Sequence, residues 1–285
     1  MTTCIRFPDG GQAPALGLGT WHLGESRAAR SQEAEAVAAA LAMGYRAIDT
    51  AEMYGNGGAE EVVGQALRQS LEAGVVQRDE VFIVSKVLPS NASRRGTVSA
   101  CEASLKRLGL DHLDLYLLHW AGSHPLRETI AAFEALQARG LIRRWGVSNF
   151  DLENMQALFA TPGGAACAAN QVYYSLSERG IEFNLLPWAA EHGVPTMAYC
   201  PVDQGALAGH PGLQALARPL GCSAAQLALA WTMRHPQVMP IPKARNPAHL
   251  RENLAAASQV LDAATLAALD ALFPPPSRRQ PLAMT

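Results

Sequence analysis

The chain has 285 residues, of which 49% are hydrophobic and 17% are charged, and its formal net charge is −2 at pH 7. This composition indicates a globular protein with a large core, and it argues against the basic surface that nucleic acids or anionic membranes attract. No stretch reads as an interdomain linker, so we expect one domain over residues 1–285, with neither nucleic acid nor a membrane as partner.

The N-terminal stretch has no basic region followed by an apolar core, so we expect no signal peptide, and no long uncharged apolar run predicts a membrane span. The cysteines are odd in number, scattered, and without a CxxC pair: Cys4, Cys101, Cys167, Cys200 and Cys222. A disulfide framework and a metal site are therefore not expected. We expect a cytoplasmic protein, and nothing demands more than a monomer.

Short apolar runs alternate with longer helical patterns along the chain. The opening CIRFPDGGQAPAL predicts a β-hairpin, with the turn at Asp9-Gly10-Gly11. The predicted strands that follow are, in order, ALGLGTW, RAID, VFIVSKV, LDLYLLHW, RRWGVSNF, CAANQVYY, PTMAYCPV and VMPIPK. The predicted helices after them are SQEAEAVAAALAM, AEEVVGQALRQSLEAG, GTVSACEASLKRLG, RETIAAFEALQARG, DLENMQALFA, EFNLLPWAAEHG, SAAQLALAWTMRHP and a helix from Asn246-Pro247.

Several helix starts carry recognisable capping residues. Ser31 and Asp151 are placed to act as N-caps, and Ser223 with Gln226 makes a capping box. The helix at Asn246-Pro247 has proline at its first position, where the missing N–H costs nothing.

Eight strand-then-helix units, with strands apolar on both faces, predict an α/β fold: a (β/α)8 TIM barrel. The alternative, an open, doubly wound sheet, is less favoured because no G-x-G-x-x-G follows the first strand. An N-terminal hairpin would cap this barrel, and an extra C-terminal helix, DAATLAALDALF, with a Pro-rich tail would extend beyond it.

Ionisable residues end several of the apolar strands. Asp49 ends the second strand, Lys86 lies near the end of the third, His119 ends the fourth, and Tyr54 follows Asp49 by five residues. Each alone is ordinary as a cap, a solvated strand end or a packing residue. In a barrel, however, these strand ends meet at one face, where active sites lie. A buried lysine there would need a carboxylate partner, which Asp49 supplies.

Such a cluster suits proton delivery to a carbonyl oxygen. A free phenol keeps its proton at neutral pH, and we expect the adjacent ammonium to lower the pKa of Tyr54 and make it a better donor. A carboxylate keeps Lys86 charged, and a neutral His119 can orient the carbonyl. The cluster supplies no electron pair for the carbon, so a hydride-donating cofactor is needed.

The ordered motifs DTAEMYGN, VSKV, LDLYLLHW, GVSNF, NQVYY and IPK…EN resemble the signatures of the aldo-keto reductase superfamily, from the hairpin through the helix after the eighth strand. The longer pieces AEMYGNGGAEEVVG, DLYLLHWAGS, IRRWGVSNFD and LLPWAAEHGVPTMAY look most like a bacterial subgroup. That subgroup includes reducers of methylglyoxal and of related small or aromatic aldehydes, so the resemblance implies NADPH-dependent reduction of aldehydes or ketones to alcohols.

The resemblance also implies roles for individual residues. Tyr54 would be the general acid, Lys86 would tune it, Asp49 would anchor Lys86, and His119 would orient the substrate. The implied NADPH contacts are Ser148, Asn149 and Gln171 on the carboxamide, Tyr199 on the nicotinamide ring, the CPVDQGAL loop near the pyrophosphate, Lys243 on the 2′-phosphate, and Glu252 and Asn253 near the adenine. The implied substrate pocket contains Trp21, Met53, Leu88 and Trp120.

The phosphate site has independent support, because a helix starting at Asn246-Pro247 favours an anion and Lys243 and Arg245 add charge. The sequence also departs from the family within this segment. Ala244 replaces a frequent serine, and His249 stands where many members carry an arginine over the adenine. Cys200 also replaces a common serine, and Leu88 stands near a common aromatic position, so we expect a wider pocket.

Two other functions remain open from the sequence. Lys86 could serve as the nucleophile of a Schiff-base aldolase, for which Asp49 and Tyr54 would also fit. The chain could instead be a non-catalytic cofactor sensor that binds NADPH with negligible turnover.

Overall fold

The computed structural model describes residues 4–285; the first three residues, on which the expectation of no signal peptide partly rests, lie outside the described residues. The chain begins with the predicted antiparallel hairpin of β1 (Cys4–Arg6) and β2 (Gln12–Pro14). Ile5 and Phe7 pack into the same apolar cluster as residues inside the barrel. The hairpin therefore caps the end of the barrel where the strands begin.

Eight parallel strands form the barrel, each paired with its sequence neighbour. They are β3 (Leu18–Gly19), β4 (Ala47–Asp49), β5 (Phe82–Val87), β6 (Leu113–Leu118), β7 (Ile142–Ser148), β8 (Asn170–Tyr173), β9 (Thr196–Tyr199) and β10 (Val238–Pro240). The first and last strands meet through backbone bonds from Gly17 N to Pro240 O and from Gly19 N to Pro242 O, both 3.0 Å. The predicted (β/α)8 fold is confirmed.

Helices surround the strands on the outside. They are α1 (Arg30–Met43), α2 (Gly58–Glu72), α3 (Arg94–Leu108), α4 (Leu126–Ala138), α5 (Leu152–Ala160), α6 (Leu185–Glu191), α7 (Ala206–Gly209), α8 (Pro211–Ala217), α9 (Ala224–Thr232), α10 (Pro247–Ala256) and α11 (Ala263–Leu272). The extra C-terminal helix is α11. The short helices α7 and α8, inserted after the seventh barrel strand, were not predicted.

Most of the predicted caps are confirmed. Asp151 accepts from Asn154 N at 2.8 Å, the Ser223–Gln226 capping box is formed, and Asn246 accepts from Ala248 N at 2.8 Å. The prediction for Ser31 is wrong, because α1 begins at Arg30 and its N-cap position is Ala29, whose methyl side chain cannot accept a hydrogen bond.

The barrel strands alternate between two apolar layers. One face packs against the helices, and the other fills the barrel interior with residues including Ala47, Val84, Leu115, Leu117, Ala169, Met197 and Met239. In a strand, residues i and i+2 face the same side, so the residue two positions after each of these interior residues also points into the barrel. These positions decide which side chains reach the mouth of the barrel.

After α11, the chain returns toward that mouth. Arg279 Nη1 donates to Glu153 Oε1 at 2.7 Å, and Met284 and Thr285 line the large cavity at the mouth. Within residues 4–285, no helix combines the length and the hydropathy needed to cross a membrane.

Candidate active site

Polar side chains follow the inward-facing apolar positions at the carboxyl ends of the strands. Asp49 comes two residues after Ala47, Lys86 after Val84, His119 after Leu117, and Gln171 after Ala169. All four are buried. The spacing of the strands thus brings the residues predicted from the sequence to one end of the barrel.

Lys86 lies at the centre of this cluster, with no exposed surface. Its Nζ donates to Asp49 Oδ2 at 2.7 Å, to Thr50 O at 2.9 Å and to the Tyr54 hydroxyl at 3.2 Å. The ammonium has three donors, so all three are used. Asp49 is held in turn by Gln171 Nε2, which donates to its Oδ1 at 2.7 Å.

A tight turn presents Tyr54 to the lysine. Gly55, Asn56 and Gly57 all have positive φ, which bends the chain sharply between the tyrosine and α2. A side chain at Gly55 would place its Cβ 2.7–2.9 Å from the backbone of residues 23–25, so only glycine permits this approach. The turn is therefore fixed against the loop that carries Trp21.

Burial governs the ionisation of the Lys86–Tyr54 pair. Burial lowers the pKa of Lys86, and the charge and hydrogen bond of Asp49 oppose that effect. The pKa of Tyr54 is raised well above its usual value, first by burial and then by the Asp49 carboxylate. The expected net lowering of the Tyr54 pKa is therefore wrong, because burial outweighs any contribution from the neighbouring ammonium. The phenol is protonated at neutral pH, as a proton donor must be.

His119 completes the cluster as a neutral imidazole. Burial, and then the charge of Lys86, lower the pKa of His119 to about 2. Its ring meets the Tyr54 ring edge to face, with centroids 5.7 Å apart, and its buried Nδ1 has no hydrogen-bond partner within the described chain. Its backbone oxygen accepts from Asn149 Nδ2 at 3.1 Å. A neutral imidazole can donate to a carbonyl oxygen without competing with the phenol for a proton.

This neutrality gives a direct prediction. Nitrogen NMR of the imidazoles should show His119 unchanged across about pH 5 to 8, the range in which an ordinary histidine titrates. Protonation of His119 within this range would contradict its assignment as a neutral group.

A cavity of about 730 Å³ opens above the cluster. It contains most of the predicted site residues, namely Trp21, Asp49, Met53, Tyr54, His119, Trp120, Ser148, Asn149, Gln171, Tyr199, Lys243, His249, Glu252 and Asn253. Leu88 and Arg245 are not among its lining residues. Arg245 Nη1 instead donates to Glu33 Oε1 at 3.1 Å.

Several lining residues were not predicted. His22 follows Trp21 and stacks on its ring, with centroids 4.2 Å apart, and Met284 and Thr285 arrive from the C-terminal tail. His22 could have been found from its neighbour in the sequence. The tail carries no local signal, because its place over the cavity depends on how α11 packs.

The predicted carboxamide-binding residues form one network. Tyr199 OH donates to Asn149 Oδ1 at 2.9 Å, and Ser148 Oγ donates to Gln171 O at 2.9 Å. The Tyr199 ring stacks on Tyr173, with centroids 5.5 Å apart. These bonds hold amide groups and a flat aromatic ring at the cavity wall, a donor set that suits a planar amide-bearing ring.

The opposite end of the cavity is cationic. Lys243 lies a few residues before the start of α10, and burial, followed by the charge of Arg245, lowers the pKa of Lys243. A helix start, a lysine and a second cation nearby suit a phosphate group. The residues present therefore fit a dinucleotide lying across the barrel mouth with its phosphate at this end.

A (β/α)8 barrel with a buried Asp–Lys pair, a tyrosine beside it and a neutral histidine beneath one large cavity is typical of a barrel oxidoreductase. The model of the aldo/keto reductase family matches residues 15–273. The chain belongs to the aldo/keto reductase family, as predicted from its motifs.

Named relatives agree with the predicted subgroup. The chain is 47% identical to the methylglyoxal reductase YeaE of Escherichia coli, over 98% of both chains. It is 35% identical to the uncharacterized oxidoreductase YtbE of Bacillus subtilis, over 89% of this chain and 88% of that one.

Solved structures agree with the fold over the full length. A Klebsiella pneumoniae aldo/keto reductase in complex with NADP and acetate superposes with a TM-score of 0.94 at 50% identity, covering 100% of both chains. The thermostable aldo-keto reductase Tm1743, in complex with the inhibitor epalrestat, gives a TM-score of 0.86 at 36% identity, over 94% of this chain and 99% of that one. NADP in the first of these agrees with the cofactor predicted from the sequence.

Proposed function

We propose that the protein reduces small aldehydes and ketones, methylglyoxal and aromatic aldehydes among them, to alcohols with NADPH, and that Tyr54 is the general acid. The observation that carries this proposal is the order of the groups at the barrel mouth. Lys86 is fully buried, and Tyr54 lies between it and the cavity, with its hydroxyl 3.2 Å from Nζ.

The chain's own residues supply the proton and its control. NADPH, when bound, supplies the hydride for the carbonyl carbon. Tyr54 donates the proton to the carbonyl oxygen as that oxygen gains charge, and the Lys86 ammonium stabilises the phenolate that remains. Tyr54 then regains a proton from solvent, so one aldehyde, one NADPH and one proton give one alcohol and one NADP⁺.

His119 and the aromatic residues would place the substrate. A neutral His119 donates a hydrogen bond to the carbonyl oxygen and orients it toward the Tyr54 hydroxyl. Trp21, Met53 and Trp120 line the same cavity and offer apolar surface to the remainder of the aldehyde. Because this part of the cavity wall is largely apolar, it favours compact or flat substrates over strongly polar ones.

A substrate screen tests the proposal. Purified enzyme is mixed with NADPH and with methylglyoxal, substituted benzaldehydes or simple sugars, and nicotinamide absorbance is followed to compare kcat/KM. We expect turnover with methylglyoxal and the benzaldehydes, and lower kcat/KM for sugars. No NADPH oxidation with any aldehyde, despite NADPH binding, would favour the cofactor sensor.

The Schiff-base aldolase is disfavoured by the bonding of Lys86. An attacking amine needs a free lone pair and access to substrate, whereas this Nζ is held by three acceptors and Lys86 does not line the cavity. Borohydride added with a carbonyl substrate should leave no adduct on Lys86 by mass spectrometry. A trapped adduct there would support the aldolase.

The cationic end of the cavity gives a prediction on cofactor choice. Lys243→Ala should weaken NADPH binding by about 10- to 100-fold, because a charge-assisted contact to the 2′-phosphate is lost, and should affect NADH much less. Fluorescence titration with each cofactor measures this. The matched control is Lys106→Ala, on the exposed side of α3. Equal losses for NADPH and NADH would remove the phosphate role from Lys243.

A further inference from the structure

A buried carboxylate lies on the outer face of β5, the strand that carries Lys86. Glu60, near the start of α2, has no exposed surface. Ser85 Oγ donates to its Oε1 at 2.6 Å, and Arg107 Nε of α3 donates to its Oε2 at 2.5 Å. Because burying a carboxylate is costly, such a group is retained only with partners of this kind, and it places a negative charge next to β5.

The register of β5 connects this carboxylate to the active site. Ser85 and Lys86 are consecutive residues, so Ser85 faces the helix layer and Lys86 faces the barrel interior. Glu60 therefore binds the strand from outside at the residue next to the lysine. Its carboxylate is fully buried against Ser85 and Arg107 is partly exposed, so the negative end of this ion pair lies on the β5 side.

The same ion pair contacts the turn that carries Tyr54. The Arg107 side chain lies across Gly57, where an added Cβ would be 2.7 Å from Arg107 Cδ. Gly57 has φ +85°, so a side chain there is also disfavoured by the backbone. Arg107, held by Glu60, thus covers the outer side of the turn three residues after the tyrosine.

We propose that Glu60 is a positioning residue for the reduction, which holds Lys86 in its charged form from behind β5 and, through Arg107, holds the turn that presents Tyr54. This inference rests on the proposed roles of Lys86 and Tyr54. Its first part concerns the charge of Lys86, which can be measured without turnover. This part can therefore fail while the proposed reaction is correct, or hold while the proposed reaction is wrong.

Among residues 4–285, no other titratable group that faces Glu60 or Lys86 supplies the negative charge that Glu60 places on the outer side of β5. Burial raises the pKa of Cys101 to about 12 and raises that of Tyr116 well above its usual value, so both are neutral where they face Glu60. On the barrel side, Lys86 faces Asp49, Tyr54 and His119, of which Asp49 is the charged member. Burial lowers the pKa of Lys86, and the Glu60 charge adds to that of Asp49 in opposing this.

The test is a lysine titration by carbon NMR of ¹³C-labelled protein. The chain has three lysines, Lys86, Lys106 and Lys243, so the Cε resonances are few and assignable by single substitutions. In Glu60→Gln, the pKa of Lys86 should fall, because the variant loses a carboxylate charge that opposes the effect of burial. The control, Glu102→Gln, removes an exposed carboxylate of α3 that pairs with Arg139 and should leave Lys86 unchanged.

Kinetics supply the second readout. In Glu60→Gln, the alkaline limb of the kcat profile should move down by a similar amount, while the NADPH dissociation constant changes less than about twofold. If Glu60→Gln does not fold, Glu60→Gln/Arg107→Gln removes both charges together and leaves no guanidinium unpaired, with the same expected direction. An unchanged pKa of Lys86 in a folded variant would overturn the proposal, whatever the activity of the wild-type enzyme.

Discussion

Tyr54→Phe should lose about 10²- to 10⁴-fold in kcat for carbonyl reduction, the range that a positioned general acid contributes. The substitution removes only the hydroxyl that lies 3.2 Å from Lys86 Nζ and leaves the ring against His119. NADPH binding should persist, because the phenol is not part of the predicted cofactor contacts. Steady-state kinetics with methylglyoxal and fluorescence titration with NADPH measure the two effects separately.

A second tyrosine provides the control for this experiment. Tyr45 is buried, and its hydroxyl donates to Leu250 O at 3.1 Å, away from the Lys86 cluster. Tyr45→Phe also removes one buried hydroxyl and should cost about 1 kcal/mol of stability with little change in kcat. Full activity of Tyr54→Phe would show that another group delivers the proton.

The position of the candidate active site was predicted from the ionisable residues that end the apolar strands. Asp49, Lys86 and His119 each end an apolar run, and in a parallel barrel such ends meet at one face. The inward direction of each side chain is also fixed by counting in twos from the apolar residue before it. The alternation of residues along each strand and the arrangement of strands in the barrel both place these side chains at the barrel mouth, so the cluster could be predicted from the sequence.

Other features depend on packing that no local pattern records. The direction of the pKa shift of Tyr54 was predicted wrongly, because the sequence places a lysine beside the phenol but does not reveal that burial outweighs the effect of the lysine. Glu60 resembles an ordinary acidic residue in the first turn of a helix, until Ser85 and Arg107 are seen on either side of it. The approach of Met284 to the cavity depends on contacts between segments far apart in the chain.

Asp49→Asn should be among the most destabilising single substitutions in the barrel. Two donors converge on this carboxylate, Lys86 Nζ on Oδ2 and Gln171 Nε2 on Oδ1, both at 2.7 Å. An asparagine offers one oxygen for two donors and turns its own N–H groups toward one of them. It also leaves a fully buried ammonium without its partner, for which about 3–5 kcal/mol is a typical cost. Urea unfolding at neutral pH measures the loss, with Glu102→Gln as an exposed control expected to stay within about 1 kcal/mol.

The pH dependence distinguishes an uncompensated charge from simple loss of packing. In the folded protein the pKa of Lys86 is lowered by burial, and removing the Asp49 charge lowers it further. The unfolded chain then binds a proton that the folded variant releases, so the stability of Asp49→Asn rises with pH between its folded pKa and the ordinary lysine value of about 10.4. The deficit relative to wild type should therefore be largest near and below the folded pKa of Lys86 in the variant, and it should shrink as the pH rises from there to the folded pKa of Lys86 in the wild-type protein. A deficit that stays constant from neutral to alkaline pH would show that Asp49 acts through shape and not by holding the charge of Lys86.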